Sequence, residues 1–152
     1  MKITILIILI VIISIILLKR KKKPLNNIEK GRVYEEYIAK KYRKKGYIVW
    51  EHGKEMGRAD LGIDLVATKD NRVILIQCKN WSTHHQYKIT TRDIKAFRTD
   101  GRDFLDKNFE YRDYDISLEF ILSGDFIDKG AKVYIDVIKK RGKKIDYRII
   151  KM

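Results

Sequence analysis

The chain has 152 residues, 34 of them Lys or Arg against 20 Asp or Glu, for a formal net charge of +14. One cysteine, Cys78, excludes an internal disulfide, and a chain of this size holds one compact domain, not two. Residues 1–23 contain six basic residues and no acid, so the rest keeps 28 basic against 20 acidic residues, a balance that favours polyanionic partners without specifying a fold.

Residues 3–18, ITILIILIVIISIILL, carry no charge and one polar residue, Ser14. As a helix this run spans about 24 Å, short of the roughly 30 Å hydrocarbon core of a bilayer. Lys2 and the basic cluster that follows can snorkel at its two ends. A transmembrane helix over 1–18 is therefore expected. A secretory signal peptide is the rival reading, opposed by the lack of a small-residue cleavage site and by positive charge that mostly follows the apolar run. KRKKK at 19–23 assigns the C-terminal side to the cytoplasm and lies against anionic headgroups. Residues 19–27 form a basic linker with the sole proline, Pro24, and 28–152 form the domain it holds, within about 30 Å of the bilayer.

Tyr34, Ile38 and Tyr42 recur every four residues and predict a helix over 28–45, ended by Gly46. Glu35 falls at the edge of the apolar stripe and Glu36 on the solvated side. YIVW (47–50) reads as a short strand, followed by a charged loop to about residue 59. LGIDLVA (61–67) reads as a second strand, KDN (69–71) as a hairpin turn and RVILIQCK (72–79) as the third strand. A polar loop then leads to a helix over 91–107, a strand over 116–123, a helix over 128–140 and an edge strand over 144–150. This order predicts an α/β fold with a mixed sheet flanked by helices.

Polar residues stand where core residues belong. Asp64 is placed mid-strand, with Ile63 and Leu65 on the other face, and the hairpin brings it to the Gln77–Lys79 end of its partner. Glu35 can join them from the first helix. Two carboxylates and an amide suit Mg²⁺, which takes one or two protein carboxylates beside substrate phosphate. A lysine beside such an ion can orient a water and neutralise developing phosphate charge. The blander reading is an Asp64–Lys79 salt bridge, which leaves Gln77 without a reason. Cys78 reads as a small buried hydrophobe. His52, His84 and His85 read as surface residues lacking metal-ligand spacing, Asp60 as either a loop hydrogen-bonder or a group supporting the metal ligands, and Trp81 as packing under the loop in preference to stacking a base.

On the 91–107 helix, Arg92, Lys95, Arg98 and Arg102, with Lys88 just before, collect on one flank of the apolar face. Asp93, Asp100 and Asp103 collect on the other. Segregation of this kind points to phosphate contact on the basic flank, against the alternative of an ordinary charged surface.

Gly31-x-x-Tyr34-Glu35, Asp60-Leu-Gly-Ile-Asp64-Leu and Ile-Gln77-Cys-Lys79-Asn-Trp together resemble the Mrr-type restriction endonuclease domain of the PD-(D/E)XK nuclease superfamily, over about residues 28–140. The resemblance implies a restriction-endonuclease-like fold and a metal-dependent DNA endonuclease. Asp64 would be the metal-binding aspartate, Gln77 would stand where Glu or Asp is more usual, Lys79 would be catalytic and Glu35 would be the first-helix glutamate. Asp64, Gln77, the Cys78 backbone carbonyl and Glu35 would hold Mg²⁺. By this resemblance, the apolar segment would stand in place of the separate DNA-recognition domain usual in such enzymes. The expected partners are DNA and the membrane, with a homodimer as a further candidate and no small-molecule cofactor. The alternatives are a non-catalytic membrane-tethered DNA-binding module that keeps the nuclease fold, and an adaptor that uses its basic surface for anionic lipid or an acidic protein.

Overall fold

The computed structural model describes residues 25–57, 61–81 and 87–152. Five strands form one sheet in chain order: β1 (Ile48–Trp50), β2 (Leu65–Lys69), β3 (Arg72–Lys79), β4 (Asp115–Leu122) and β5 (Ile145–Ile149). The first two pairings are antiparallel and the last two parallel, so the sheet is mixed, as the element order implies. Parallel neighbours need long crossovers. α3 (Thr91–Lys107) crosses from β3 to β4, and α4 (Lys129–Lys140) crosses from β4 to β5. α1 (Asn27–Lys44) precedes the sheet, and a short α2 (His52–Met56) follows β1.

Alternation along β3 separates the two layers. Val73 and Leu75 pack with Ile94, Phe97 and Phe104 of α3 and with Ile135 and Ile138 of α4. Ile74, Ile76 and Cys78 pack on the other face, against Tyr34, Ile38 and Tyr42 of α1. Each such side chain, fully buried, contributes on the order of 1.5–3 kcal/mol. The α1 stripe carries hydroxyls that also need partners. Tyr34 donates to the Ile150 carbonyl at 2.7 Å. Tyr42 donates to the Glu119 carboxylate on β4, which Arg148 of β5 also grips. These bonds pin α1 across the far half of the sheet.

Three expectations need correction. The second strand begins at Leu65, not Leu61, because Leu61 and Gly62 adopt positive φ (52° and 66°) and turn the chain there. Asp64 therefore precedes the strand. Ile63 and Leu65 do not share a face: Ile63 joins the α3 side and Leu65 the α1 side. The charged loop after β1 contains α2, whose first residue is buried, so His52 is not a surface residue.

Among the described residues no helix is long and apolar enough to cross a membrane. The span expected over 1–18 and the cluster at 19–23 lie outside the described residues, as do Asp60, His84 and His85.

Candidate active site

The site is built where the β2–β3 hairpin opens. The Asp64 N–H donates to the Ile76 carbonyl at 2.9 Å, one position out of the β2–β3 register, in which Ile76 pairs with Leu65. Its carboxylate then bends back, and Oδ2 accepts the Cys78 N–H at 2.6 Å. Asp64 is thus held at the Gln77–Lys79 end of β3 by a charge-assisted bond. The hairpin expectation placed it there, although by a different backbone route.

Gln77 has a specific partner. Its Nε2 donates to the Gly62 carbonyl at 2.7 Å. A Cβ on residue 62 would stand 2.8 Å from that Nε2 and 3.5 Å from Asp100 Oδ2. Glycine there serves two ends: it accepts the left-handed φ, and it lets the amide close on the backbone. With Nε2 donating to a carbonyl, the other amide atom, Oε1, is the acceptor that Gln77 can offer to a ligand.

Gln77 and Lys79 are both half-buried and line one cleft of about 190 Å³ with Trp81, Asp93, Phe97 and Asp100. Trp81 packs edge-on against Tyr87 and Phe126, in keeping with its expected packing role. Asp93 and Asp100 come from α3. The Asp93 Oδ2 accepts the Thr90 N–H and hydroxyl, at 2.7 and 2.8 Å, so this carboxylate caps the helix. Asp100 lies beside Gly62 and is a cleft residue that sequence reasoning did not single out. Its signal in the sequence is the acidic flank itself.

Glu35 approaches from the other layer. It lies on α1, over Gly31, with Oε1 3.8 Å from where a Cβ on that residue would sit. Asn80 Nδ2 donates to the Lys30 carbonyl at 3.0 Å, tying the end of β3 to the first turns of α1. Glu35 does not line the cleft. Asp64 does not line it either. At the end of β3, burial first, then the charges of Asp64 and Glu35, push the Cys78 thiol well above its ordinary pKa, with Lys79 opposing. Among the described residues no three His, Cys, Asp or Glu side chains stand together as metal ligands. A divalent cation would rest on these two carboxylates plus amide and carbonyl oxygens, a donor set that suits Mg²⁺.

The basic flank of α3 lies elsewhere. Arg98 donates to the Tyr134 hydroxyl of α4 at 3.0 Å, and the Lys95 ammonium lies 5.5 Å from the same ring's centroid. Lys95, Arg98 and Arg102 line a separate trough beside Thr99. Lys88 and Arg92 are exposed near the helix start. None of these five residues lines the cleft; the flank that meets Gln77 and Lys79 is the acidic one.

His52 supports the site from beneath. Its Nδ1 lies 2.8 Å from the Ile63 carbonyl, an atom that can only accept, so Nδ1 carries the proton. The ring packs edge-on against Trp50 and Phe104, and the Gly53 N–H donates to the Asp64 carbonyl at 2.9 Å. α2 thus holds both residues that flank the bend at 63–64. No apolar periodicity marks so short a helix.

The fold, with its strand-end aspartate and the Gln-x-Lys pair, is that of a restriction-endonuclease-like nuclease. The model of the restriction endonuclease family Mrr_cat matches residues 27–108, more than half of the chain, and the chain belongs to that family. The match runs from α1 through α3 and includes every candidate catalytic residue. No curated protein matches the chain.

Proposed function

We propose that the chain is a Mg²⁺-dependent DNA endonuclease, held at the cytoplasmic face of a membrane by its N-terminal apolar segment. The observation that carries the catalytic part is the Asp64 carboxylate held by the Cys78 N–H, one strand position from both Gln77 and Lys79. Asp64, Glu35, the Gln77 amide oxygen and the Cys78 carbonyl would hold the ion. When bound, Mg²⁺ would supply charge stabilisation for the phosphoryl oxygens and acidify a coordinated water. Lys79 projects into the cleft from the same face as Gln77 and would position the attacking water and offset charge on the phosphate. Gln77, tied to Gly62, would keep its oxygen turned to the cation.

The membrane part rests on the 3–18 run and the KRKKK that follows. The site test is cleavage of linear duplex DNA by the full chain in detergent micelles, with Mg²⁺ or EDTA. Cleavage that needs Mg²⁺ and vanishes in Lys79→Ala supports the reading. Duplex binding without cleavage under any divalent ion would replace it with a non-catalytic DNA-binding module. For the anchor, the chain should stay with membranes through alkaline carbonate extraction, and protease added outside intact cells should spare it. Release by carbonate would remove the anchor.

A further inference from the structure

α3 separates two openings on the same face of the sheet. One is the cleft at Gln77 and Lys79. The other is a groove of about 460 Å³ between the C-terminal half of α3 and the turn joining α4 to β5. Its walls carry cations that face each other, Arg98 and Arg102 on α3 and Lys143 and Lys144 on the turn, over an apolar floor that includes Leu75 and Leu118. The trough at Lys95 adjoins it through the same two arginines. Two carboxylates temper this charge: Asp115 pairs with Lys144, and Asp103 lies 3.9 Å from Arg102. With Lys95 counted, three cations remain in excess.

We propose that this groove binds a second length of DNA phosphodiester backbone, apart from the one at the reaction cleft. Facing basic walls suit a rod of phosphates lying between them, whereas a lipid surface would be met by cations on a convex or flat face. The spacing also fits. A helix with its side chains is about 10–12 Å wide, close to the roughly 12 Å major groove of B-DNA. The two backbones bordering one major groove can therefore reach the cleft and the basic groove together, with α3 between them. This deepens the nuclease reading and rests on it. It adds Lys143 and Lys144 to the DNA contact and gives the basic flank of α3 a task away from the cleft.

The test is duplex binding by the full chain in detergent micelles, measured in EDTA over a salt series by fluorescence anisotropy. Each lost phosphate contact lowers the log–log salt slope by about 0.9. Lys143→Gln with Lys144→Gln should lower it by about 0.9, and by up to about 1.8 if phosphate displaces Asp115 from Lys144, equally for unrelated sequences. Asp115→Asn, which releases Lys144, should tighten binding without lowering the slope. A double variant with the parent's slope overturns the groove, as does a double variant that loses only its binding to phosphatidylserine vesicles. A parent that does not bind duplex overturns it too. The nuclease reading is judged apart, by Mg²⁺-dependent cleavage: a parent that cleaves while its slope ignores the two lysines fails the groove alone. A parent that binds through them without cleaving fails only the nuclease.

Discussion

The Gln77 side-chain amide donates to the Gly62 carbonyl at 2.7 Å, and that bond decides what a glutamate at position 77 would do. A carboxylate cannot donate, so Gln77→Glu sets two acceptor oxygens against each other in a half-buried place. We expect a loss of about 1–3 kcal/mol in EDTA. Mg²⁺ should recover part of it, because the added charge faces the proposed cation. Thermal melts with and without Mg²⁺ measure both effects. A variant as stable as the parent in EDTA would mean that the Gly62 contact contributes nothing.

Gly62 itself is constrained twice, by φ of 66° and by the 2.8 Å approach of the Gln77 amide to its missing Cβ. Gly62→Ala should cost roughly 1–2 kcal/mol, mainly through the left-handed backbone, and should push Gln77 off the carbonyl. Urea denaturation gives the first number, and cleavage rate reports the second. Full retention of both stability and rate would show that the bend tolerates a side chain.

Glu119 accepts from Tyr42 and from Arg148, and Arg148 Nη2 also donates to the Tyr42 hydroxyl at 3.0 Å, so the three groups form one network. Tyr42→Phe leaves the Glu119–Arg148 pair intact and should cost about 1 kcal/mol. Glu119→Ala takes the carboxylate from both donors, leaving the guanidinium only the Tyr42 oxygen, and should cost about 2–3 kcal/mol. Chemical denaturation of the two variants tests the order. Equal costs would mean that the arginine finds water as readily as it found Glu119.

The same packing predicts an alkaline limit. Burial, then nearby Cys78 for Tyr34 and Glu119 for Tyr42, raises both phenols above the ordinary value of 10.0. A folded-state pKa above the unfolded one means that the folded chain binds more protons in that window. The stabilisation is fully present below about pH 10 and is lost as pH rises beyond it. Folding stability should therefore fall above pH 10, and Tyr34→Phe should flatten the fall. A parent whose stability is level across that range would contradict the burial of these hydroxyls.

How much of this was legible in the sequence depended on the length of the signal. α1 and α3 announce themselves through Tyr34, Ile38 and Tyr42 and through Ile94, Phe97 and Phe104, because helical periodicity repeats over several turns. β3 is equally plain from its alternation. The bend at 61–64 was not, since Leu61 is a branched residue in a conformation that sequence seldom signals, and the strand was extended through it. α2 is five residues long and has no side-chain cap to mark its start. The Asp64, Gln77 and Lys79 association followed from hairpin register alone. That the acidic flank of α3 faces the cleft did not, because segregated charge fixes two flanks but not which one turns toward β3.

We expect Asp64 to serve a metal-dependent reaction and not the fold. Asp64→Ala cannot separate the two, because it orphans the Cys78 N–H that Oδ2 accepts at 2.6 Å. Asp64→Asn can, since an amide oxygen still accepts that N–H while the charge is gone. The decisive measurement is Mg²⁺-dependent cleavage of duplex DNA by the full chain and by Asp64→Asn, with a melt of each in EDTA. We predict melts that differ by no more than about 1 kcal/mol and a cleavage rate reduced by about 100-fold or more. Parent-level cleavage by Asp64→Asn would rule out a metal-binding role for that carboxylate.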